Sequence, residues 1–312
     1  MRIILFCIPE FGSICLNTLL SANKNVVAVV LPPASHPARN GMKFIAESLG
    51  VPTIHVEKRL KDPVLIDEIK SYKPDIGLIA SYPRLIPPEI YTIPPLNIIN
   101  CHPSMLPDYR GPNPYFHVIK DGLKETGISF HYLDDTFDTG DLIFQTPFKL
   151  YSDDTLGTMF IRISIEASKI YLKILEKLEQ GETFVAVPQS ETTEDLVYAS
   201  EVTHESPDLQ IKWYESSFII DCLVRASNPF YGAYTFYREM PLRIFSGTYE
   251  PKKYLRPLAS PGTIIKVSKD RLGVATADGI YYPETLQCGL LYITDIKDFI
   301  KRSKPKTGEM LN

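Results

Sequence analysis

Short apolar runs alternate with amphipathic stretches through the first 180 residues, and this alternation constrains the fold more than any other feature. The apolar runs have the length of buried strands, whereas the amphipathic stretches repeat apolar residues every three to four positions, as helices do. This order predicts a mostly parallel sheet with helices on its faces. The strand-like runs are RIILFCI, NVVAVVL, PTIHV, DIGLIA, LNIINCH and GISFHYL, and the helical ones are GSICLNTLLSA, GMKFIAESLG, PVLIDEIKSY and NPYFHVIKDG.

A final long helix closes this region; it is predicted to start after Asp154, a plausible cap, and to stop at Gly181. The rest of the chain lacks the alternation of strand-like and helical stretches. A polar stretch follows, and then one helix and several short β-like runs separated by Gly, Pro and Asp turns. We therefore expect a Rossmann-like α/β domain at 1–184, a linker at 185–208 and a small OB-like β-barrel domain at 209–312, whose last residues fray.

Composition excludes several classes of protein. No apolar run reaches the roughly 18 to 20 residues of a membrane span, and the N-terminal apolar run is too short for a secretory signal, so we expect a cytoplasmic protein. The five cysteines are odd in number and scattered, which predicts free thiols. The net charge is −4, yet residues 211–312 hold 15 Lys and Arg against 10 Asp and Glu. Such a basic third can bind a polyanion, although taken alone an ordinary solvated surface is the better explanation.

One strand ends in polar residues. LNIINCH places Asn100 and His102 at its carboxyl end, which is where ligands bind in an open parallel sheet. Residues two apart on a strand share a face, so Asn100 and His102 point together and Cys101 points away. That orientation disfavours a Cys–His nucleophile pair and predicts a packing role for the thiol.

An amide and an imidazole that converge on one point suit the oxyanion of an acyl transfer. The reaction also needs a group that handles the proton of the attacking nucleophile. Asp138, before a Thr-Gly turn in GISFHYLDDTFDTGDLI, can project its carboxylate over the same crevice. A carboxylate beside His102 would raise the pKa of the imidazole and favour its charged form.

Other interpretations of these residues remain open. Asn, His and Asp in turns often bond only their own backbone. His102, His131 and Asp138 could in principle ligate a divalent ion, but no H-x-x-x-H pair or EF-hand pattern accompanies them, and we predict no metal. The N-terminal FCIPEFG holds one glycine where a dinucleotide fingerprint needs three, so NAD binding is weakly supported.

The string from Asn100 to Gly111, NCHPSMLPDYRG, followed by DTGD at 138–141, resembles the signature of the folate-dependent formyltransferases. The likeness extends over the whole chain. MRIILFCIPEFG is similar to the opening of the methionyl-tRNA formyltransferases, and VRASNPFYGAYTF resembles part of their C-terminal barrel.

This resemblance implies a one-carbon transferase that moves a formyl group from 10-formyltetrahydrofolate to a primary amine. Asn100 and His102 would bind the oxygen of the tetrahedral intermediate, and Asp138 would orient His102 and relay the proton. The folate would contact three loops, at Pro83, Arg84, Leu85 and Ile86; at Ser104, Met105, Leu106 and Pro107; and at Asp134, Asp135 and Phe137.

The resemblance leaves the acceptor open between initiator methionyl-tRNA and a nucleotide-linked amino sugar. The segment LPPASHPARNGMKFIAE is shorter than the basic loop of the tRNA enzymes and offers only Arg39 and Lys43. RGPNPYF replaces their RGAAPIQ. His131 resembles a residue of the sugar-amine and purine-pathway enzymes, although it could equally be a core histidine.

Two other classes of function stay in view. A formyltetrahydrofolate hydrolase would use the same three residues with water, but that family usually carries a preceding regulatory domain. A catalytically silent RNA- or ligand-binding homologue would leave the three residues idle.

Overall fold

The computed structural model describes residues 1–57, 59–189, 196–251, 259–289 and 293–312. The chain forms two compact units. The first contains Met1–Gly111, Glu125–Lys149 and Phe160–Tyr198, and the second contains Pro112–Lys124, Leu150–Met159 and Ala199–Asn312. The boundaries expected at 184 and 208 stay a prediction, and residues 190–195 of the expected linker lie outside the described residues.

The first unit is built on a seven-stranded sheet of order β3-β2-β1-β4-β5-β6-β7. The pairs from β3 to β5 are parallel, whereas β6 and β7 run antiparallel to their neighbours. Its strands are β1 (Arg2–Cys7), β2 (Asn25–Val30), β3 (Thr53–Ile54), β4 (Ile76–Ala80), β5 (Ile98–His102), β6 (Glu125–Tyr132) and β7 (Leu142–Lys149). Its helices in the first 111 residues are α1 (Pro9–Ser21), α2 (Arg39–Ser48), α3 (Pro63–Ser71) and α4 (Pro88–Tyr91). The next helix, α5 (Pro114–Lys120), belongs to the second unit.

The central strands are apolar because both of their faces are buried. All five residues of β4 are buried, as are the last five of β1 and of β2. A mostly parallel sheet with covered faces requires such strands. The predicted fold class is confirmed.

The edge strand β7 escaped prediction from the sequence. Its side chains are half-exposed without a strict period of two, and it contains Pro147. Proline cannot donate to a strand ladder, so it is tolerated in an edge strand and weakens the sequence signal.

The long helix α6 (Leu156–Glu179) starts one residue later than Asp154 predicts. Thr155 caps it, since its hydroxyl accepts a hydrogen bond from the Thr158 backbone N at 3.2 Å. The Asp154 carboxylate instead accepts from the Thr158 hydroxyl at 3.0 Å. The helix ends at the predicted place, where Gly181 adopts a φ of 82°.

The second unit contains a six-stranded antiparallel sheet of order β10-β11-β12-β9-β8, with β13 paired to β12. Its strands are β8 (Ala233–Tyr237), β9 (Met240–Pro251), β10 (Ile264–Val267), β11 (Leu272–Ala275), β12 (Gly279–Cys288) and β13 (Ile293–Asp295). The helices α7 (Ser217–Ser227) and α8 (Ile296–Ser303) belong to this unit, as does α5.

The last residues join the two edge strands of this sheet, and the expectation that they fray is wrong. Leu311 bridges Tyr237 at the end of β8, and Met310 bridges Thr263 beside β10. The Leu311 side chain is buried. These bridges connect the two edges of the sheet in the manner of a closed barrel.

Among the described residues, no helix combines the length and apolar character needed to cross a membrane.

Candidate active site

Strand β5 carries Asn100 and His102 to the carboxyl edge of the parallel part of the sheet. In the antiparallel ladder with β6, Asn100 lies opposite His131 and His102 lies opposite Ser129. Residues directly opposite on neighbouring strands hold their side chains close together. The pairing therefore brings a second histidine, His131, beside the predicted amide.

Asp138 lies in the loop after β6 and has a φ of 59°, a left-handed conformation that few residues other than glycine adopt. Its Oδ1 atom lies 3.3 Å from His102 Nδ1 and 3.3 Å from Asn100 Nδ2. Its Oδ2 atom accepts a hydrogen bond from the Gly111 backbone N at 3.2 Å. The amide, the imidazole and the carboxylate named from the sequence thus converge on one point.

His131 is buried and joins this group. Its Nδ1 lies 2.8 Å from the Tyr132 carbonyl oxygen, which can only accept. In the neutral ring Nδ1 therefore carries the proton, and Nε2 accepts from Asn100 Nδ2 at 3.0 Å. The Asn100 amide thus donates to both His131 and Asp138, and these two bonds fix the direction in which it points.

Both nitrogens of His102 face acceptors. Nδ1 faces the Asp138 carboxylate, and Nε2 lies 2.8 Å from the Tyr109 carbonyl oxygen. Burial lowers the pKa of His102, but the negative charge and hydrogen bond of Asp138, with the Tyr109 carbonyl, outweigh burial and raise the pKa above its ordinary value. This is the direction expected from the sequence, and it favours an imidazolium.

Asp138 responds in the opposite direction. Burial raises the pKa of its carboxyl, but the charge and hydrogen bond of His102, together with His131, hold the pKa far below its usual range. The carboxylate therefore keeps its negative charge across the physiological pH range.

Cys101 is buried on the other face of β5, and burial raises the pKa of its thiol well above the ordinary value. Such a thiol is a poor nucleophile. Within the described ranges, no group of three or more His, Cys, Asp and Glu side chains is arranged to hold a metal ion.

The residues predicted to contact the folate differ in their exposure. Ile86, Ser104 and Leu106 are buried, and the backbone N of Leu106 donates to the Ser129 hydroxyl. The side chains of the others are partly or fully exposed: Pro83, Arg84, Leu85, Met105, Pro107, Asp134, Asp135 and Phe137.

Two of the predicted folate loops line a common cavity. It has a volume of about 450 Å³, and its walls include Leu85, Ile86 and Asp135. Tyr91 Oη donates to Asp135 Oδ1 at 2.9 Å and so ties α4 to the loop that carries Asp138. Asn100, His102 and Asp138 are not among the residues that line this cavity.

Two residues that the sequence did not predict hold the Asp138 loop. Gln189 donates from Nε2 to the carbonyl oxygens of Asp138 and Gly140, at 3.0 and 2.8 Å. Arg110 donates to Gln189 Oε1 from Nη2 at 2.6 Å. Arg110 lies inside the NCHPSMLPDYRG string, whereas Gln189 follows the short apolar run TFVAVP, where no local pattern marks it.

Comparison with known proteins decides the family. The formyl transferase model matches residues 1–175, and the model of the formyl transferase C-terminal domain matches residues 205–304. The chain belongs to the formyl transferase family. The predicted enzyme class, a folate-dependent formyltransferase, is confirmed.

Relatives of this formyl transferase resemble it over nearly their whole length. A methionyl-tRNA formyltransferase of Dictyoglomus turgidum is 34% identical over 294 residues, which cover 92% of this chain and 91% of that one. One of Legionella pneumophila is 29% identical and covers 97% of this chain and 96% of its own.

Among solved structures, an N-formyltransferase of Helicobacter canadensis in complex with folinic acid and dTDP-3-aminofucose superposes with a TM-score of 0.64. It is 15% identical, and the match covers 91% of this chain and 98% of that chain. At that identity the likeness shows the fold alone.

Proposed function

We propose that this formyl transferase moves the formyl group of 10-formyltetrahydrofolate to the amino group of methionyl-tRNA, with Asn100, His102 and Asp138 as its catalytic residues. The observation that carries the catalytic assignment is the convergence of Asn100 Nδ2 and His102 Nδ1 on Asp138 Oδ1, each at 3.3 Å. An amide, an imidazolium and a carboxylate around one point are the groups that an acyl transfer requires.

The reaction begins when the amine nitrogen attacks the formyl carbon. A C–N bond forms, and the carbonyl electron pair moves onto oxygen to give a tetrahedral oxyanion, which the N–H groups of His102 and Asn100 stabilise. The intermediate collapses as the bond between the formyl carbon and N10 of the folate breaks. We assign the proton transfer to His102, with Asp138 as its partner. The imidazolium gives a proton to N10 as the bond to the formyl carbon breaks, and the neutral imidazole then takes the proton that the amine nitrogen sheds.

The low pKa of Asp138 limits what this residue does in that transfer. A carboxylate that is so hard to protonate holds a proton only briefly. Its main contribution is to keep His102 charged and correctly oriented, since its attraction offsets the effect of burial on the imidazole. Both oxyanion donors must give up a bond when they act. His102 Nε2 exchanges its hydrogen bond to the Tyr109 carbonyl for one to the substrate oxygen, and Asn100 Nδ2 releases its bond to His131 or to Asp138.

The proposed donor site is formed by the loops after β4 and β6. The cavity of about 450 Å³ that Leu85, Ile86 and Asp135 help to line falls within the size range of small-molecule sites. Exposed backbone and polar groups of these loops suit a flat heterocycle with many donors and acceptors. The buried side chains of Ser104 and Leu106 support the loop rather than touch the donor.

Methionyl-tRNA is the acceptor that the relatives support. The methionyl-tRNA formyltransferase of Dictyoglomus turgidum matches about nine tenths of both chains at 34% identity. The excess of basic residues in 211–312 is compatible with contacts to phosphates.

A nucleotide-linked amino sugar is the second candidate, because the segment after β2 offers little positive charge to a tRNA. Of the two basic residues that the short segment after β2 offers, Arg39 is buried. Its guanidinium donates to the Val56 carbonyl at 3.1 Å and forms an ion pair with Glu57. Lys43 lies 3.7 Å from Glu47. A buried and paired arginine is poorly placed to bind RNA phosphates.

The test offers 10-formyltetrahydrofolate to the purified protein with either methionyl-tRNA or a panel of nucleotide-linked amino sugars, and measures the formylated product. His102→Ala is the control for background transfer. We expect formylmethionyl-tRNA at catalytic enzyme concentrations. Formylation of a sugar alone would replace the tRNA by the second candidate, and release of free formate without a formylated amine would identify a hydrolase.

A further inference from the structure

We infer that Gln189 is a positioning residue for formyl transfer, because it clamps the loop that carries Asp138. The inference rests on the proposed role of Asp138 in the reaction. It assigns a function to a residue that follows α6, in the stretch expected to be a linker.

The contacts of Gln189 have the geometry of a clamp. Its carboxamide has two N–H bonds, and they are directed at the backbone carbonyl oxygens of Asp138 and Gly140, on the two sides of the Thr139 turn. Its own carbonyl oxygen accepts from Arg110 Nε at 3.2 Å and Nη2 at 2.6 Å. The side chain is buried, so water does not compete strongly for these bonds.

The clamp restrains the backbone conformation of Asp138. Asp138 is held in a left-handed conformation, which costs a non-glycine residue free energy and persists only where the surroundings enforce it. The carboxylate can face His102 and Asn100 only while the backbone keeps that conformation. Bonds to the carbonyls of Asp138 and Gly140 restrain the turn without occupying the carboxylate itself.

The backbone around Gln189 is itself anchored. Val187 exchanges two hydrogen bonds of 2.8 Å with Leu142 at the start of β7. Further along, Val197 accepts from the Tyr109 backbone N at 2.7 Å, and Tyr198 bridges Arg110. Residues 187–189 and 197–198 therefore hold both loops that surround His102, since one loop supplies Asp138 and the other the Tyr109 carbonyl.

The test uses the full chain with two substitutions of nearly the same size. Gln189→Met removes every hydrogen bond of the side chain, whereas Gln189→Glu keeps an acceptor for Arg110 but turns a carboxylate toward two carbonyl oxygens. We expect each to lower kcat about ten- to hundredfold and to change KM for the donor less than about threefold. Gln180→Met, at the exposed end of α6, is the matched control and should leave kcat unchanged.

Two further measurements separate positioning from general support of the fold. First, the His102 titration followed by NMR should move to lower pH in Gln189→Met, because the Asp138 carboxylate that raises the pKa of His102 is no longer held against the ring. The charged groups that act on His102 are Asp138 and Arg110. Second, Gln189→Met should cost less than about twofold when Asp138 is already Asn.

The outcomes distinguish the clamp from the proposed function. Wild-type kcat and an unchanged His102 titration in a folded Gln189→Met would overturn the clamp, as would multiplicative losses in the double variant. If Gln189→Met does not fold, Gln189→Asn replaces it, because its shorter amide cannot reach both carbonyls, and the same results decide. If the wild-type protein formylates no amine, the proposed function is wrong, but the NMR titration still tests the clamp.

Discussion

Replacing Asp138 by Asn tests the electrostatic basis of the proposed mechanism. The substitution keeps the shape of the side chain but removes the charge that lies 3.3 Å from His102 Nδ1. Only the Tyr109 carbonyl then opposes the effect of burial on the imidazole, so the pKa of His102 falls and the neutral ring prevails. The active site loses both its charged oxyanion donor and its route for the proton.

The size of the effect follows from these losses. A hydrogen bond to a charged group contributes about 1.5–3 kcal/mol, and each 1.36 kcal/mol changes a rate about tenfold. Loss of acid–base assistance alone is typically worth at least about a hundredfold. We therefore expect kcat of Asp138→Asn to fall by at least about a hundredfold, with KM for the donor nearly unchanged.

The assay follows tetrahydrofolate release and formylated product under saturating donor, with a thermal melt to confirm that the variant is folded. Asn100→Ala is a parallel variant, since it removes a neutral donor and should leave the pKa of His102 raised. A folded Asp138→Asn protein that retains more than about a third of the wild-type kcat would refute the reasoning.

Three further predictions concern the same loops. The pKa of Asp138 is lowered and that of His102 is raised, so their pairing should stabilise the fold fully between about pH 4 and 6.5 and less as the pH rises through the raised pKa of His102. The difference in free energy of unfolding between wild type and Asp138→Asn should therefore become smaller at alkaline pH. A difference that stays constant with pH would contradict this. Gly140→Ala should lower stability by about 1–3 kcal/mol or more, measured by urea unfolding, because the new Cβ would lie 1.9 Å from the Tyr132 carbonyl oxygen; unchanged stability would show that the turn adapts. Cys101→Ala should keep kcat within about threefold, since the thiol faces away from the site, and loss of activity in a folded variant would revive a thiol nucleophile.

The sequence predicted the elements whose signals are local. Apolar runs such as the one in β4 are buried on both faces, so composition alone marks them as central strands. The alternation along β5 placed Asn100 and His102 together because side chains on a strand point to opposite faces in turn. The position of Asp138 before a Thr-Gly turn predicted its place beside His102, and the match of NCHPSMLPDYRG and DTGD to a known family agreed with it.

Features that depend on distant contacts could not be predicted. Gln189 acts through hydrogen bonds to a loop about fifty residues earlier, and nothing in its own neighbourhood indicates them. The sequence of β6 does not distinguish His131 from a core histidine, because its place beside Asn100 depends on the register between two strands. The basic tail predicts fraying, but Leu311 pairs with a strand more than seventy residues away.

Single-turnover transfer from a donor labelled in its formyl group tests whether the site around His102 formylates an amine. We predict that the wild-type protein moves the label onto the amine of methionyl-tRNA, and that His102→Ala does so at least about a hundredfold more slowly. Label recovered as free formate, or transfer by a folded His102→Ala at the wild-type rate, would contradict it.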